Sequence, residues 1–372
     1  MKLEGAAVAL LSAALASGLA ACSRGRDEGR PGRASASAAP PRGEATPPAP
    51  SVDDYVLVSP GGATAFETPP PRPGPTAVTG GARLSRGFGF QPTGETRTVG
   101  GRRYLRILDG RWLAEAEVTH VRPSRFAGAH LQPRPEAPVE ARPSSDPLSL
   151  DVAWTNVSGA RLLATADPGT AARSALPRGF RVTLTGDCRD GVCPLSTGWM
   201  RATELARPAR AARPGAAGPR ERWIDVDLSS QTLVAYEGDA PVFATLVATG
   251  IGGAGSPLAT PVGVFRIRSK HAFVRMDNLE HTGVEPYAYD VPLTQYFNEG
   301  KALHAAPWHD RLGQPRSHGC INLSPADARW LFDFTSPALP PGQSEVAATS
   351  ARPGTLVRVR GQLPASPPPG LL

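Results

Sequence analysis

Trp223-Ile224-Asp225-Val226-Asp227-Leu228 alternates apolar and acidic residues with a period of two, the period at which successive side chains reach opposite faces of a strand. It reads as a half-buried strand. Working outward, Ser229-Ser230 turns the chain into Thr232–Tyr236, and Glu237-Gly238-Asp239 turns it again into a run from Val242 to Thr249. Gly250 to Ser256 reads as a flexible loop, and Val264-Phe265-Arg266-Ile267 and Gly354–Val359 read as further strands. One helix is expected from Ser324, a good N-cap, with Pro325 in the first turn and Asp327 near the helix N-terminus, running through Ala328, Trp330, Leu331 and Phe332. Residues 222–361 are therefore expected to form one mainly β domain.

Inside it lies Ser317-His318-Gly319-Cys320-Ile321-Asn322, preceded by His304. A thiol with an ordinary pKa of about 8.5 is mostly protonated at neutral pH, so a nucleophilic cysteine needs a basic or cationic neighbour. His304 and His318 are the candidates. In an extended segment His318 and Cys320 share a face, while the loop 307–316 can bring His304 back beside the thiol. Gly319 permits backbone geometry that other residues resist, which suits N–H groups aimed at a developing oxyanion, and the amides of Gly319 and Cys320 are the candidates. The competing readings are an inert core thiol and a zinc site of His304, His309, His318 and Cys320; the latter lacks an acidic ligand and regular ligand spacing. His309 reads as a surface loop residue, and His271 and His281 as loop or strand-end residues.

Together, Thr260-Pro261-Val262-Gly263-Val264-Phe265, Asp290-Val291-Pro292, Ala302-Leu303-His304, Ser317–Asn322 and Leu323-Ser324-Pro325-Ala326-Asp327-Ala328 resemble the YkuD-type L,D-transpeptidase catalytic domain. The resemblance covers little more than a third of the chain. One departure is Ala305, where many members carry glycine. The resemblance implies a β-sandwich-like catalytic fold with one or two short helices, and peptidoglycan stem peptides as substrate. Cys320 would attack the carbonyl joining an L-centre to a D-alanine and expel D-alanine, and the side-chain amine of a neighbouring stem would attack the thioester. His304, oriented by the carbonyl of Ala305, would move the protons. Ser317, His318, Gly319 and Asn322 would shape the pocket, and Tyr287, Tyr289 and Tyr296 would line the cleft. No metal or organic cofactor is implied. Two rivals stay open: hydrolysis of the same thioester, giving a carboxypeptidase or endopeptidase, and a cell-wall-binding protein whose chemistry has lapsed.

The 372 residues leave room for two or three folded units. Residues 1–22 combine Lys2, an apolar run from Ala6 to Ala21 and Cys22, which reads as an export signal. Its end resembles a lipoprotein signal with Cys22 as the lipidated residue, implying an envelope or periplasmic location on a lipid anchor, at the outer membrane where the cell has one; an ordinary signal peptide is the alternative. Much of the chain's 40 glycines and 41 prolines falls in connectors. We expect a tether over 23–80, a small β module over 81–132, a Pro-rich linker over 133–150, a β module over 151–205 resembling bacterial SH3-like domains, an Arg/Pro connector over 206–221, and a disordered tail over 362–372. Cys188 and Cys193 are spaced to close a small disulfide loop in an oxidising compartment. The formal net charge of +7 raises a nucleic-acid partner. Export argues against it and favours an anionic envelope polymer or surface, with a monomer as the default state.

Overall fold

A computed structural model describes residues 54–69, 81–131, 150–279 and 286–363. All of them belong to one compact unit. Cys22, His281 and the segment read as signal lie outside the described residues, as do most of the 133–150 linker and residues 364–372 of the expected tail.

The catalytic candidate domain is built on two sheets. One runs in the order Gly263–Arg266, Leu356–Arg360, Arg222–Asp227, Thr232–Glu237, Ala240–Leu246 and Ala129–His130. The other runs Ile321–Leu323, Lys301–Ala305, Ala288–Asn298, Gly89–Phe90, Val56–Val58 and Val118–His120, with Ser269–Asp277 attached beside the 288–298 strand and Glu345–Ala347 beside Ser269–Asp277. Between them Ile224, Val226, Leu233, Phe243, Phe297, Leu303, Ile321 and Leu323 form a buried cluster. Each such aliphatic or aromatic side chain contributes about 1.5–3 kcal/mol by leaving water. Helix Pro325–Phe334 closes this core with Ala328, Leu331 and Phe332, and Ser324 Oγ caps it by accepting from the Asp327 N–H at 3.1 Å. The fold is mainly β.

The opening strand is not half-buried. Arg222–Asp227 is flanked by Thr232–Glu237 and Leu356–Arg360, and its second face is covered by a cluster joining Trp223, Tyr236, Leu246 and Leu356 to Trp154 of the preceding module. Asp225 is consequently 1% exposed. Its carboxylate accepts from Arg358 Nε at 2.6 Å and Arg360 Nε at 2.9 Å, pairing that makes its burial tolerable.

Two expected connectors are structured. The tether reading of 23–80 gives way at Val56–Val58 and Ala63–Phe66, which are strands; Tyr55 and Val56 are fully buried, and Val56 pairs with Phe90 and His120. These short apolar runs escaped notice because Pro and Gly dominate their surroundings. The Arg/Pro connector 206–221 is a strap anchored by the Ala211 N–H donating to Tyr236 Oη at 2.8 Å, by Arg213 with Asp239 at 3.1 Å and by Arg266 with Glu221. Its arginines are partly spent on structure.

Upstream, Ala82–Leu84, Ala63–Phe66, Trp112–Ala114, Arg102–Ile107 and Pro92–Val99 form a sheet. Residues 152–206 form two smaller ones, and Cys188 and Cys193 are joined as a disulfide. The first module extends the second of the two sheets: Gly89 pairs in parallel with Tyr289, the Gln91 N–H donates to Asp290 Oδ2 at 3.0 Å, and Arg275 holds the other Asp290 oxygen at 2.9 Å. A side chain at Gly89 would collide with Tyr55 and Tyr289. No helix among the described residues is long and apolar enough to cross a membrane.

Candidate active site

Strands Lys301–Ala305 and Ile321–Leu323 run parallel, with Leu303 opposite Ile321 and His304 opposite Asn322. Continuing that register one residue sets Cys320 beside Ala302. Ala302 and His304 are two apart on one strand and share a face. The backbone thus brings thiol and imidazole to the same side of the sheet edge although sixteen residues separate them in sequence.

The His304 ring is buried, and its Nδ1 donates to the Ala305 carbonyl at 2.8 Å. A carbonyl only accepts, so the proton sits on Nδ1 and the Nε2 lone pair is the basic site. Burial lowers its pKa to about 4 against the Ala305 bond, which raises it. At neutral pH the ring is uncharged and able to take a proton.

Cys320 is partly buried. Its thiol donates to the Gly300 carbonyl at 3.8 Å. Burial pushes its pKa up, opposed by the Ala302 N–H and the Lys301 ammonium. Among the described residues no hydrogen bond joins the thiol to His304. The resting pair is therefore neutral thiol and neutral imidazole, and the proton has to be removed during attack, a step whose hydrogen bond is often long in the resting enzyme.

The loop ahead of Cys320 is fixed by polar contacts. The Gly319 N–H donates to Ser317 Oγ at 3.0 Å, and Ser317 Oγ donates to the Cys320 carbonyl at 2.5 Å. This removes Gly319 N–H from the oxyanion candidates and leaves the amide of Cys320. Gly319 has φ +109°, and a Cβ there would meet the Ala259 carbonyl and Lys301 at 2.7 Å, so only glycine fits. Thr260 Oγ1 donates to the Gly319 carbonyl at 3.0 Å and accepts from the Gly250 N–H at 2.8 Å. Lys301 Nζ donates to the carbonyls of His318 at 2.7 Å and Pro257 at 2.9 Å. It clamps the loop while placing a positive charge near the sulfur.

The tyrosines divide. Burial raises the pKa values of Tyr287 and Tyr296, with a charge on Cys320 the next cause. Tyr287 lies against the exposed His318 with centroids 5.1 Å apart. Tyr289 instead stacks on Trp308 at 4.6 Å, and Trp308 also meets Tyr55 at 5.5 Å and His304 at 5.9 Å. Trp308, Lys301 and Tyr55 were not among the site residues read from sequence. A large aromatic in the Gly/Pro/Arg-rich loop after His304 is the signal for Trp308; nothing local marks Tyr55, which arrives through the upstream strand.

His309 lies in the loop as expected but is half-buried rather than fully exposed. Its Nε2 meets the Asn322 amide at 2.9 Å and its Nδ1 accepts from the Arg311 N–H at 3.3 Å. Burial, then the charge of Arg316 and the neighbouring His304, lower it to about 3. His271 sits within strand Ser269–Asp277, paired with Glu345 at 3.1 Å. Among the described residues no three His, Cys, Asp or Glu side chains converge as a metal site.

Residues 221–359 match the YkuD family, the L,D-transpeptidase catalytic domain. Similar proteins include L,D-transpeptidase 1 of Mycobacterium tuberculosis, 39% identical over 82 residues that cover 20% of this chain and 32% of the relative. L,D-transpeptidase 2 of the same species is 32% identical over 92 residues, 23% of this chain and 22% of the relative. The chain thus spans a third or less of the length of these curated relatives. Among solved structures, an L,D-transpeptidase from Stackebrandtia nassauensis is 27% identical, covering 40% of this chain and 60% of that one with a TM-score of 0.29.

The neutral imidazole has a consequence for stability. Unfolded, His304 titrates near 6.5; folded, near 4. Between those values the unfolded chain binds a proton that the folded chain refuses, so this stabilisation is complete above pH 6.5 and is lost as pH falls through 4. The loss is roughly 3 kcal/mol. In urea unfolding at pH 7 and pH 4, His304→Gln is expected to lose less stability than the parent by about that amount. Equal losses would contradict the buried neutral ring.

Proposed function

We propose that this domain is a peptidoglycan L,D-transpeptidase using Cys320 as nucleophile. Sulfur attacks the carbonyl linking an L-centre to a D-alanine while His304 Nε2 takes the thiol proton. A C–S bond forms, the C–N bond breaks, and D-alanine leaves with that proton on its amine. The side-chain amine of a second stem then attacks the thioester; C–N forms, C–S breaks, and the proton shed by the amine passes through His304 to the sulfur. The Cys320 N–H donates to the oxyanion at each stage. Tyr287, Tyr296 and His318 border the donor peptide.

The observation carrying this reading is the parallel pairing that puts a buried, uncharged imidazole and a partly exposed thiol on one face, inside a segment matching the family. The export signal ending at Cys22 is read as a lipid anchor that leaves the enzyme facing the wall. Incubating the purified protein with a tetrapeptide stem, with and without an amine acceptor, tests the function by mass spectrometry. Cross-linked product with released D-alanine is expected. Tripeptide alone in the presence of acceptor would make it a carboxypeptidase, and unchanged substrate would overturn the assignment.

A further inference from the structure

A groove of about 1360 Å³ runs between segment 121–125 and the first turn of helix Pro325–Phe334, and its inner end reaches Trp308 and His309. Its charge is one-sided. Arg122, Arg125 and Arg329 line it against a single carboxylate, Asp310. All three arginines are exposed, and among the described residues none makes an ion pair or a side-chain hydrogen bond. Several arginines elsewhere are paired, Arg275 to Asp290, Arg266 to Glu221, and Arg358 and Arg360 to Asp225, whereas these three gather unpaired around one opening. Three free guanidinium groups around one open groove repel one another, and their planar forks match carboxylates. His309 adds no charge, being held neutral by burial.

The place of the groove narrows the ligand. Trp308 joins it to the imidazole, with ring centroids 5.9 Å apart, whereas Tyr287 lies against His318 in the segment leading into the thiol. An amine attacking a thioester must shed its proton to His304, so the acceptor has to come in on the base side. An acidic peptide gripped by the arginines is there.

We propose that this groove is the acceptor subsite, with Arg122, Arg125 and Arg329 binding carboxylates of the incoming stem peptide so that its side-chain amine reaches the thioester. The inference rests on the reading of Cys320 as acyl carrier. Two of the three arginines lie outside residues 221–359, so the upstream module contributes directly to acceptor choice.

Binding can be read without turnover. Cys320→Ala full-length protein is titrated by calorimetry with a stem tripeptide carrying a free side-chain amine, with the same peptide amidated at its carboxylates, and with inorganic phosphate. The tripeptide is expected to bind, and to weaken roughly tenfold or more on amidation, on raising salt, and in R122Q/R125Q/R329Q, as expected for lost charge-assisted bonds. The corresponding Arg→Lys triple variant, which keeps the charges, should recover part of the affinity. In active protein the Gln variant should raise the KM for acceptor about tenfold and shift products toward hydrolysis. Equal tripeptide affinity in parent and Gln variant, indifference to amidation, or phosphate binding that the tripeptide does not displace would each overturn the proposal. Acylation of wild-type Cys320 by donor alone is scored separately by intact mass; its failure would sink the functional reading, while the titration still decides the groove.

Discussion

Cys320→Ala is expected to bring cross-linking below detection, because no other described group beside the site is placed to carry the acyl chain. The fold should survive. The side chain is partly exposed and its polar contacts are the Gly300 carbonyl and the Ala302 N–H, so its removal should cost about 1 kcal/mol. Product analysis paired with a thermal melt separates the two effects. Cross-linking retained by a folded variant would mean that another nucleophile does the chemistry.

His304→Ala should lower acyl transfer by about 10²–10⁴-fold, the usual contribution of a positioned general base. The pH profile identifies the cause. With His304 present the rate should rise through a pKa near 4, as the ring loses its proton, and then hold level through neutrality. Without it, attack depends on spontaneous ionisation of a thiol that burial has pushed above its usual value, so the residual rate should climb only in alkaline solution. An unchanged profile would remove His304 from the proton path. His304→Gln, which keeps much of the volume beside Trp308 but cannot accept a proton at these pH values, should follow the alanine variant.

The strands from Arg222 to Leu246 and the helix capped by Ser324 were legible in the sequence because period-two alternation and capping residues are local signals. Asp225 was misread for the same reason: alternation reports one apolar face, and only the docked 150–206 module reveals that the other is covered too. The strands Val56–Val58 and Ala63–Phe66 are three and four residues long within Pro- and Gly-rich sequence, and their partners lie far along the chain. Within the site, Cys320 and His304 could be named from chemistry, whereas Trp308 and His309 gain their places from folding of the loop, and Lys301 its role from reaching the His318 and Pro257 carbonyls from its strand. The protonation state of the resting pair was also beyond local reading, since it follows from burial, which has no local signature.

Intact-protein mass spectrometry of the wild-type enzyme quenched during turnover of a tetrapeptide stem, followed by peptide mapping, is the most direct measurement. The mechanism predicts an adduct of the stem minus D-alanine on the peptide containing Cys320, formed in wild type, strongly slowed in His304→Ala and lost in Cys320→Ala. Turnover with Cys320 unmodified in wild type, and with the Cys320→Ala variant still active, would contradict it.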